Sequence, residues 1–396
     1  FSNLPEAKQT VDIQPMEQFN QGWGTILYRT TLSEATPAGT VLKITEVHDW
    51  AQIYADGKLL ARLDRRKGEF TTTLPALKKG TQLDILVEAM GRVNFDKSIH
   101  DRKGITEKVE LVSGNQAKEL KNWTVYNFPV DYSFIKDKKY NDTKILPAMP
   151  AYYKSTFKLD KVGDTFLDMS TWGKGMVWVN GHAMGRFWEI GPQQTLFMPG
   201  CWLKEGENEI LVLDLKGPAK ASIKGLKKPI LDVLREKAPE THRKDGEKLK
   251  LAGEKVIHEG AFTPGNGWQE VRFAAPAKGR YFCLEALSPQ ANDNIAAVAE
   301  FDVLGADGKP VSREHWKIRY ADSEETRSGN RTADKIFDLQ ESTFWMTVDN
   351  VPYPHQLVID LSKVEIVTGF RYLPRAEKEY PGMIKEYRIF IKKEDF

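Results

Sequence analysis

The chain has 396 residues, and its 57 basic and 55 acidic side chains leave a formal net charge of +2. At about 100–200 residues per domain, this length predicts two to four domains. A near-neutral chain without a basic block is not expected to bind nucleic acid. Its longest apolar runs, such as residues 210–213, are far shorter than the roughly 20 residues of a membrane-spanning helix.

Neither the cysteines nor the first residues identify a compartment. Cys201 and Cys283 are too few and too far apart for a disulfide framework or a zinc site, and we interpret both as small buried hydrophobic residues. The sequence begins at Phe1 without a visible signal peptide, as a mature or truncated product would.

Strand patterns dominate the chain. Leu83, Ile85 and Val87 alternate with polar residues, which predicts a strand with one apolar and one solvent-facing side. Continuous apolar runs at 176–179 and 210–213 predict strands that are buried on both faces. The best short helix candidate, residues 229–237, is equally compatible with a linker.

A repeated hairpin pattern relates the first two parts of the chain. Residues 51–62 and 175–186 each contain a strand pattern, a two-residue turn (Asp56-Gly57 and Asn180-Gly181) and an Arg five residues after the turn glycine. Asp-Gly and Asn-Gly favour type I′ hairpin turns because both positions need positive φ. Each copy precedes a Leu-Lys-x-Gly turn and an apolar strand, so we predict two related antiparallel jelly-roll sandwiches.

A charged segment separates these two sandwiches from a third strand-rich region. Residues 237–254 are rich in Lys, Glu, Arg and Asp, which is typical of a solvated linker or long loop. Strand patterns return at 281–284, 301–304, 357–361 and 387–391. We therefore predict an all-β chain of tandem jelly-roll β-sandwiches at 1–118, 119–230 and 255–396, with a linker at 231–254.

Three segments resemble the C-terminal region of family-35 beta-galactosidases. The longest runs from Asp164 to Gly200 and contains Trp172, Asn180-Gly181-His182 and Trp188; the others are residues 22–29 and 91–95. The resemblance implies two galactose-binding-like β-domains that pack against a catalytic TIM barrel, in an enzyme that hydrolyses terminal β-galactosides with two glutamates. Such a barrel needs about 250 residues of alternating strand and helix. This sequence lacks that pattern, so we predict no catalytic residue in it.

Residues 255–396 resemble a coagulation-factor-5/8 type C (discoidin-like) domain. Residues 316–325 are similar to the stretch that opens such domains. Residues 280–284 and 299–301 are similar to the closing segment, which here comes first. We therefore predict a circular permutation, which is physically cheap because domain termini often lie close together. The alternative is two half-domains with exposed sheet edges, which folded β-proteins avoid.

Sugar binding calls for aromatic rings that stack on a sugar and for side chains that donate to vicinal hydroxyls. In the discoidin-like region the candidates are Trp345, His355, Arg375 and Tyr380. Each has a structural alternative, such as core packing for Trp345 and an internal ion pair for Arg375. For Trp172, Trp178 and Trp188 we prefer packing, with Trp188 against the barrel or a neighbouring domain.

The discoidin resemblance also implies a structural calcium ion, held by Asp338, Thr343 and Glu300 through hard oxygen ligands. The glycine that usually follows the aspartate is Leu339 here. A hydrogen-bonded turn without metal is therefore an equal alternative, and no cofactor is required.

The sequence thus predicts the non-catalytic, carbohydrate-binding accessory region of a beta-galactosidase. The expected partners are a galactose-containing glycan, the catalytic barrel of the parent enzyme and, to cover the barrel-facing surface, a second copy of the chain. The resemblance favours a periplasmic or extracellular location. The alternatives are a free-standing carbohydrate-binding protein and a structural interaction module.

Overall fold

The computed structural model describes the chain except for residues 2, 96–98, 115, 143–147, 243–248 and 377–380. The chain divides into two compact units: unit 1 comprises Phe1–Phe128 and Pro239–Phe396, and unit 2 comprises Pro129–Ala238. Unit 1 contains two sandwiches, which we call the N-terminal and the C-terminal sandwich. The first and third predicted sandwiches thus belong to the same compact unit. The exact domain boundaries stay a prediction. Among the described residues, no helix is long and apolar enough to cross a membrane.

The N-terminal sandwich has two antiparallel sheets. Its strands are β1 (Ala7–Thr10), β2 (Gly24–Thr31), β3 (Val41–His48), β4 (Trp50–Ala55), β5 (Lys58–Asp64), β6 (Thr71–Thr73), β7 (Gln82–Ala89), β8 (Gly104–Ser113), β9 (Gln116–Glu119) and β10 (Trp123–Phe128). The sheets have the orders β1-β10-β2-β7-β4-β5 and β6-β3-β8-β9. Short 3-10 helices lie at Met16–Phe19 and Arg65–Lys67. The inward faces enclose one apolar core that includes the fully buried Tyr28 and Trp123.

Unit 2 is a smaller sandwich. Its elements are α1 (Tyr132–Ile135), β11 (Ala151–Leu159), β12 (Thr165–Asp168), β13 (Lys174–Val179), β14 (His182–Trp188), β15 (Thr195–Met198), β16 (Gly206–Asp214) and β17 (Lys224–Leu226), with a 3-10 helix at Gly200–Trp202. The sheets have the orders β11-β16-β13-β14 and β15-β12-β17. Trp172 packs in its core and Trp178 is also buried.

The C-terminal sandwich contains β18 (His258–Ala261), β19 (Gln269–Ala286), β20 (Ala297–Val298), β21 (Glu300–Leu304), β22 (Lys317–Ala321), β23 (Trp345–Met346), β24 (His355–Leu373) and β25 (Glu386–Lys392). One sheet has the order β18-β25-β19-β24-β21, with β22 also pairing with β24; β20 and β23 form a second, short sheet. A 3-10 helix spans Ala333–Phe337. The described chain consists of strands with only one four-residue α-helix and short 3-10 helices, so the all-β prediction is confirmed. All its paired strands are antiparallel.

The two predicted hairpin repeats have the same local geometry. Both turn residues have positive φ in each copy: Asp56 and Gly57 join β4 to β5, and Asn180 and Gly181 join β13 to β14. The Asp56 carboxylate accepts from the backbone N–H of Gln82 at 2.9 Å, and the Asn180 amide oxygen accepts from that of Glu209 at 2.9 Å. Each hairpin turn is thus hydrogen-bonded to the strand that follows the Leu-Lys-x-Gly turn of its copy, β7 in the first and β16 in the second.

The pairing of β19 with β25 bears on the permutation hypothesis. Tyr281 lies opposite Lys392 and Ala286 lies opposite Tyr387, so the early and late segments of the third region are neighbours in one sheet. Two separate half-domains would have placed these strands apart. The pairing contradicts that alternative and is what a permuted discoidin-like sandwich requires.

Two sequence interpretations, on β7 and on Cys201, need correction, and residues 229–237 follow the linker alternative rather than the helix. The side of β7 that was expected to face solvent is covered: Asp84 and Glu88 are buried, and the Asp84 carboxylate is held by the guanidinium of Arg29 at 2.6 and 2.9 Å. Residues 229–237 form neither helix nor strand, and their backbone bonds to the loop before β15. Cys283 is buried, but Cys201 is exposed because it lies in the surface turn after β15.

The two sandwiches of unit 1 are joined by a loop of the C-terminal sandwich. Its Gln340 amide donates to the buried carbonyl of Ile44 at 3.0 Å, and Lys335 Nζ lies 3.3 Å from the carbonyl of Gly68. The methyl group of Thr343 packs so closely on Gly68 that a Cβ there would lie 2.9 Å from it. This interface brings together residues that are more than 250 positions apart in the chain.

Candidate functional site

A cavity of about 850 Å³ lies between the two sandwiches of unit 1. We call it the joint cavity. One wall is the outer face of the small sheet of the N-terminal sandwich; the other is formed by β21, β24 and the loop before β22. A volume of this size is within the range of pockets that bind small organic ligands.

The period of the strands explains the N-terminal wall. In β3, Leu42 and Ile44 point into the core, so Val41 and Lys43 point to the opposite face and line the cavity. The register places Thr73 beside Val41 and Thr71 beside Lys43. This wall therefore presents a row of hydroxyl groups with one ammonium group.

A network of ion pairs forms the opposite wall. Asp302 accepts from Arg313 Nε at 2.9 Å and from its cross-strand neighbour Arg371 at 2.9 Å. Arg313 also donates to one carboxylate oxygen of Glu300. These bonds fix the rotamers of the two arginines and hold the Glu300 carboxylate in the wall of the cavity.

Two polar atoms of this wall lack a hydrogen-bond partner within the described part of the chain. They are Glu300 Oε1 and Trp316 Nε1, on side chains that are only 2% and 6% exposed. Burial, together with the charges of Asp338 and Asp302, raises the pKa of Glu300 against the opposing effect of Arg313. Since buried polar atoms are nearly always hydrogen-bonded, these two atoms, which have almost no accessible surface on side chains that line the cavity, are groups that a ligand could satisfy once a neighbouring side chain shifts.

Aromatic rings complete the cavity. The Trp316 ring meets Phe337 edge-on at 5.9 Å between centroids. At the rim Trp268 is 37% exposed, donates to Glu341 Oε1 at 3.1 Å and lies 4.7 Å below the guanidinium carbon of Arg371. Sequence reasoning did not select Trp268, Trp316 or Arg371, because nothing in their local sequence separates them from core aromatics and surface charges.

The sequence-predicted sugar candidates lie elsewhere in the C-terminal sandwich. Trp345 is buried in the core and donates to the carbonyl of Ser323 at 3.0 Å. His355 is buried with both ring nitrogens bonded, to Asp322 Oδ2 and to the carbonyl of Asn294, each at 2.7 Å. Arg375 is buried over the ring of Phe344, and Tyr380 lies outside the described residues. None of the three described side chains lines the joint cavity, and their role in sugar binding stays a prediction.

The predicted calcium ligands are engaged with other groups of the chain. Thr343 Oγ1 lies 2.8 Å from Asp338 Oδ2, and Asp338 Oδ1 accepts from the backbone of Gln340 at 3.0 Å. Lys335 Nζ lies 3.8 Å from the Asp338 carboxylate, while Arg313 binds Glu300. An ammonium and a guanidinium group thus supply the positive charge that a metal would bring. Among the described residues no cluster of three or more Asp, Glu, His or Cys side chains is arranged to hold a metal. The predicted ligands are thus held by groups of the chain itself, and both the calcium site and the metal-free turn stay predictions.

A second feature lies in the N-terminal sandwich, beneath residues 91–95. Lys103 is fully buried and its ammonium group donates to Asp49 at 2.7 Å, to Asp101 at 2.8 Å and to the carbonyl of Gly91 at 3.0 Å. Arg65 Nη1 binds the same two carboxylates, at 2.9 and 2.7 Å. Burial opposes ionisation of Asp101, but the hydrogen bonds from Lys103 and Arg65 lower its pKa to about 2. Lys103, Asp49 and Asp101 are buried, and the partly exposed Arg65 completes the network of ion pairs.

Two exposed aromatic residues lie next in sequence to segments that are bonded to this network. Arg92 donates to the carbonyls of Asp101 and Gly22, both at 2.7 Å, and so ties residues 91–95 to the start of β2. Trp23 is 57% exposed and Phe95 is 80% exposed. We call this patch the Trp23–Phe95 surface.

Family models match three parts of the chain. Residues 14–129 match "Beta-galactosidase, first all-beta domain", residues 150–208 match "Beta-galactosidase, galactose-binding domain", and residues 320–395 match "F5/8 type C domain". The order agrees with the resemblances seen in the sequence. The F5/8 match covers only the later part of the C-terminal sandwich.

Half of the chain aligns with curated relatives. The chain is 34% identical over 206 residues to human Beta-galactosidase-1-like protein 2, and 34% identical over 199 residues to a Beta-galactosidase of Xanthomonas manihotis. Human Beta-galactosidase is also 34% identical, over 223 residues. Each comparison covers 50% of this chain but only 31–32% of the relative, so the chain spans about a third of the length of these proteins. Residues 14–129 and 150–208 therefore match non-catalytic β-domains of beta-galactosidases, and residues 320–395 match an F5/8 type C domain.

Proposed function

We propose that this chain is the accessory region of an enzyme that hydrolyses terminal β-galactosides. In this proposal it braces the catalytic barrel and holds a galactose-containing glycan near it. The observation that carries the proposal is the Trp23–Phe95 surface. Its two large aromatic side chains are exposed, and the residues that precede them are hydrogen-bonded to one another or to the buried network.

The physical argument concerns rigidity and cost. Leaving apolar area in water costs about 25 cal/mol per Å², so exposed aromatic patches usually mark a place where something binds. Residues 91–93, which lead to Phe95, are fixed, since Gly91, Arg92 and Val93 are each hydrogen-bonded to the buried network or to its backbone. A preorganised aromatic patch loses little entropy when it docks.

The test compares the chain with a catalytic barrel produced separately from the same gene. We expect the chain alone to leave a chromogenic β-galactoside intact and to bind the barrel in analytical ultracentrifugation. Trp23→Ser and Phe95→Ser should each weaken this association at least about tenfold, as hot-spot aromatics do. Phe197→Ser is the matched control, because Phe197 is a 51% exposed aromatic residue of unit 2 and belongs to neither segment of this surface.

Two results would contradict the proposal that this chain binds and supports a catalytic barrel. One is hydrolysis by the chain itself, and the other is association that both aromatic substitutions leave unchanged. If the chain forms dimers that the same substitutions dissolve, the Trp23–Phe95 surface joins two copies of the chain and not a copy to a barrel.

A free-standing carbohydrate-binding protein is the second candidate, and the joint cavity is the observation that favours it. Both candidates include glycan binding, and only the first includes a barrel partner. An export to the periplasm or the cell exterior stays a prediction from the resemblance.

A further inference from the structure

We propose that the joint cavity binds a neutral saccharide, with Trp316 Nε1 and Glu300 Oε1 as its central hydrogen-bonding groups. The inference rests on the glycan-binding half of the proposed function and gives it a site. It is independent of the Trp23–Phe95 surface, so the two can fail separately.

The unpaired buried atoms carry the first step. Trp316 Nε1 can only donate, and a carboxyl oxygen of Glu300 mainly accepts. A ligand that satisfies both must offer an acceptor and a donor a short distance apart. Hydroxyl groups do both, and vicinal hydroxyls on a ring do so in a fixed geometry.

The charge of the walls carries the second step. Six carboxylates line the cavity, on residues Glu300, Asp302, Glu314, Asp334, Asp338 and Glu341. Among the described residues, four cationic side chains line it, on residues Lys43, Lys309, Arg313 and Arg371. Both arginines, and Lys335 at 3.7 Å from Asp334 and 3.8 Å from Asp338, are already paired with carboxylates of the wall, so they are not available to hold the anionic group of a uronic acid or a sulfated sugar. Neutral sugars are therefore the fitting class.

The aromatic rings carry the third step. A pyranose ring has a polar edge and an apolar C–H face, so it needs hydrogen-bonding groups and an aromatic surface in one cleft. The cavity provides both, with Thr71 and Thr73 on one wall and Trp268, Trp316 and Phe337 on the other. Since the two walls belong to different sandwiches, neither sandwich alone forms the site.

The experiment uses the full chain and isothermal titration calorimetry. The probes are galactose, lactose and galacturonic acid, the last being the anionic counterpart of the first. We expect lactose to bind at least as well as galactose, and galacturonic acid to bind at least about tenfold more weakly.

Two variants test the cavity from its two walls. Trp316→Phe keeps the ring but removes the N–H donor, and Thr73→Val removes a hydroxyl from the exposed N-terminal wall at constant shape. Each should weaken galactoside binding at least about threefold, the effect of one lost hydrogen bond. Trp172→Phe is the matched control, because it removes an indole N–H that donates to Ser222 in unit 2, and its affinity should equal that of the wild type.

The outcomes are separable. Absence of measurable binding to all three probes overturns both the cavity and the glycan half of the proposed function. Binding that Trp316→Phe and Thr73→Val leave unchanged overturns the cavity alone. Tighter binding of galacturonic acid than of galactose overturns the neutral-ligand argument. Thr73→Val keeps the test valid if Trp316→Phe fails to fold, because Thr73 is an exposed wall residue.

Discussion

Replacing Lys103 with methionine should be among the most destabilising single changes in the N-terminal sandwich. Methionine fills a similar volume but leaves Asp49 and Asp101 buried with Arg65 as their only remaining cation in the network. Removing one member of a buried ion cluster costs about 3–5 kcal/mol, because the remaining charges stay out of water without compensation. At about 2–4 °C per kcal/mol for a unit of this size, the melting temperature should fall by about 6–20 °C.

Differential scanning calorimetry and urea unfolding followed by tryptophan fluorescence measure this loss. Lys58→Met is the matched control, because Lys58 is exposed on the β4–β5 hairpin and its removal should change the free energy of unfolding by less than about 0.5 kcal/mol. An average substitution changes the free energy of unfolding by roughly 1 kcal/mol. If the free energy of unfolding of Lys103→Met lies within that amount of the wild-type value, the network does not stabilise the fold as argued. A normal melting temperature combined with lost barrel binding would instead limit its role to positioning residues 91–95.

Three further predictions concern the C-terminal sandwich. Burial lowers the pKa of His242, but its bond to Glu324 at 2.7 Å outweighs this and raises it. The pair should therefore stabilise the protein fully below about pH 6.5, and this stabilisation should be lost as the pH rises through the raised pKa. In the His242→Gln variant the melting temperature should not show this pH dependence. Calcium at 100 times its Kd would add about 2.7 kcal/mol to the free energy of unfolding. We expect no such gain over EDTA in calorimetry, because Lys335 and Arg313 already neutralise the predicted ligands. Gln340→Leu removes the amide that binds the carbonyl of Ile44 and should cost about 1–3 kcal/mol in urea unfolding, whereas a smaller loss would mean that water replaces the bond.

Local chemistry explains what the sequence could predict. The hairpins around Asp56-Gly57 and Asn180-Gly181 depend on backbone conformations that few residues tolerate, so the turn type and the strand direction follow from two adjacent residues. The long apolar runs of β13 and β16 likewise fix strands that are buried on both faces. Such features need no knowledge of the rest of the fold.

Features that depend on a distant partner were not predictable in the same way. The polar side of β7 resembled a solvent-facing side until Arg29, which lies 55 residues away in the sequence, was found to cover Asp84. The joint cavity has the same origin on a larger scale, since Thr73 and Trp316 line one cavity only because two sandwiches pack together. Neither residue type nor spacing encodes that contact.

The loop at residues 338–343 shows how one segment can serve an interface and a site together. Its aspartate and threonine suggested a metal site, yet Thr343 packs on Gly68 and Gln340 binds the carbonyl of Ile44. Because Asp338 also lines the joint cavity, the contact that joins the sandwiches sets the distance between the cavity walls. Loosening the interface should therefore weaken saccharide binding without changing any group that touches the sugar. Gln340→Leu offers the means to separate these effects, since it alters the joint and leaves Trp316, Glu300 and Thr73 in place.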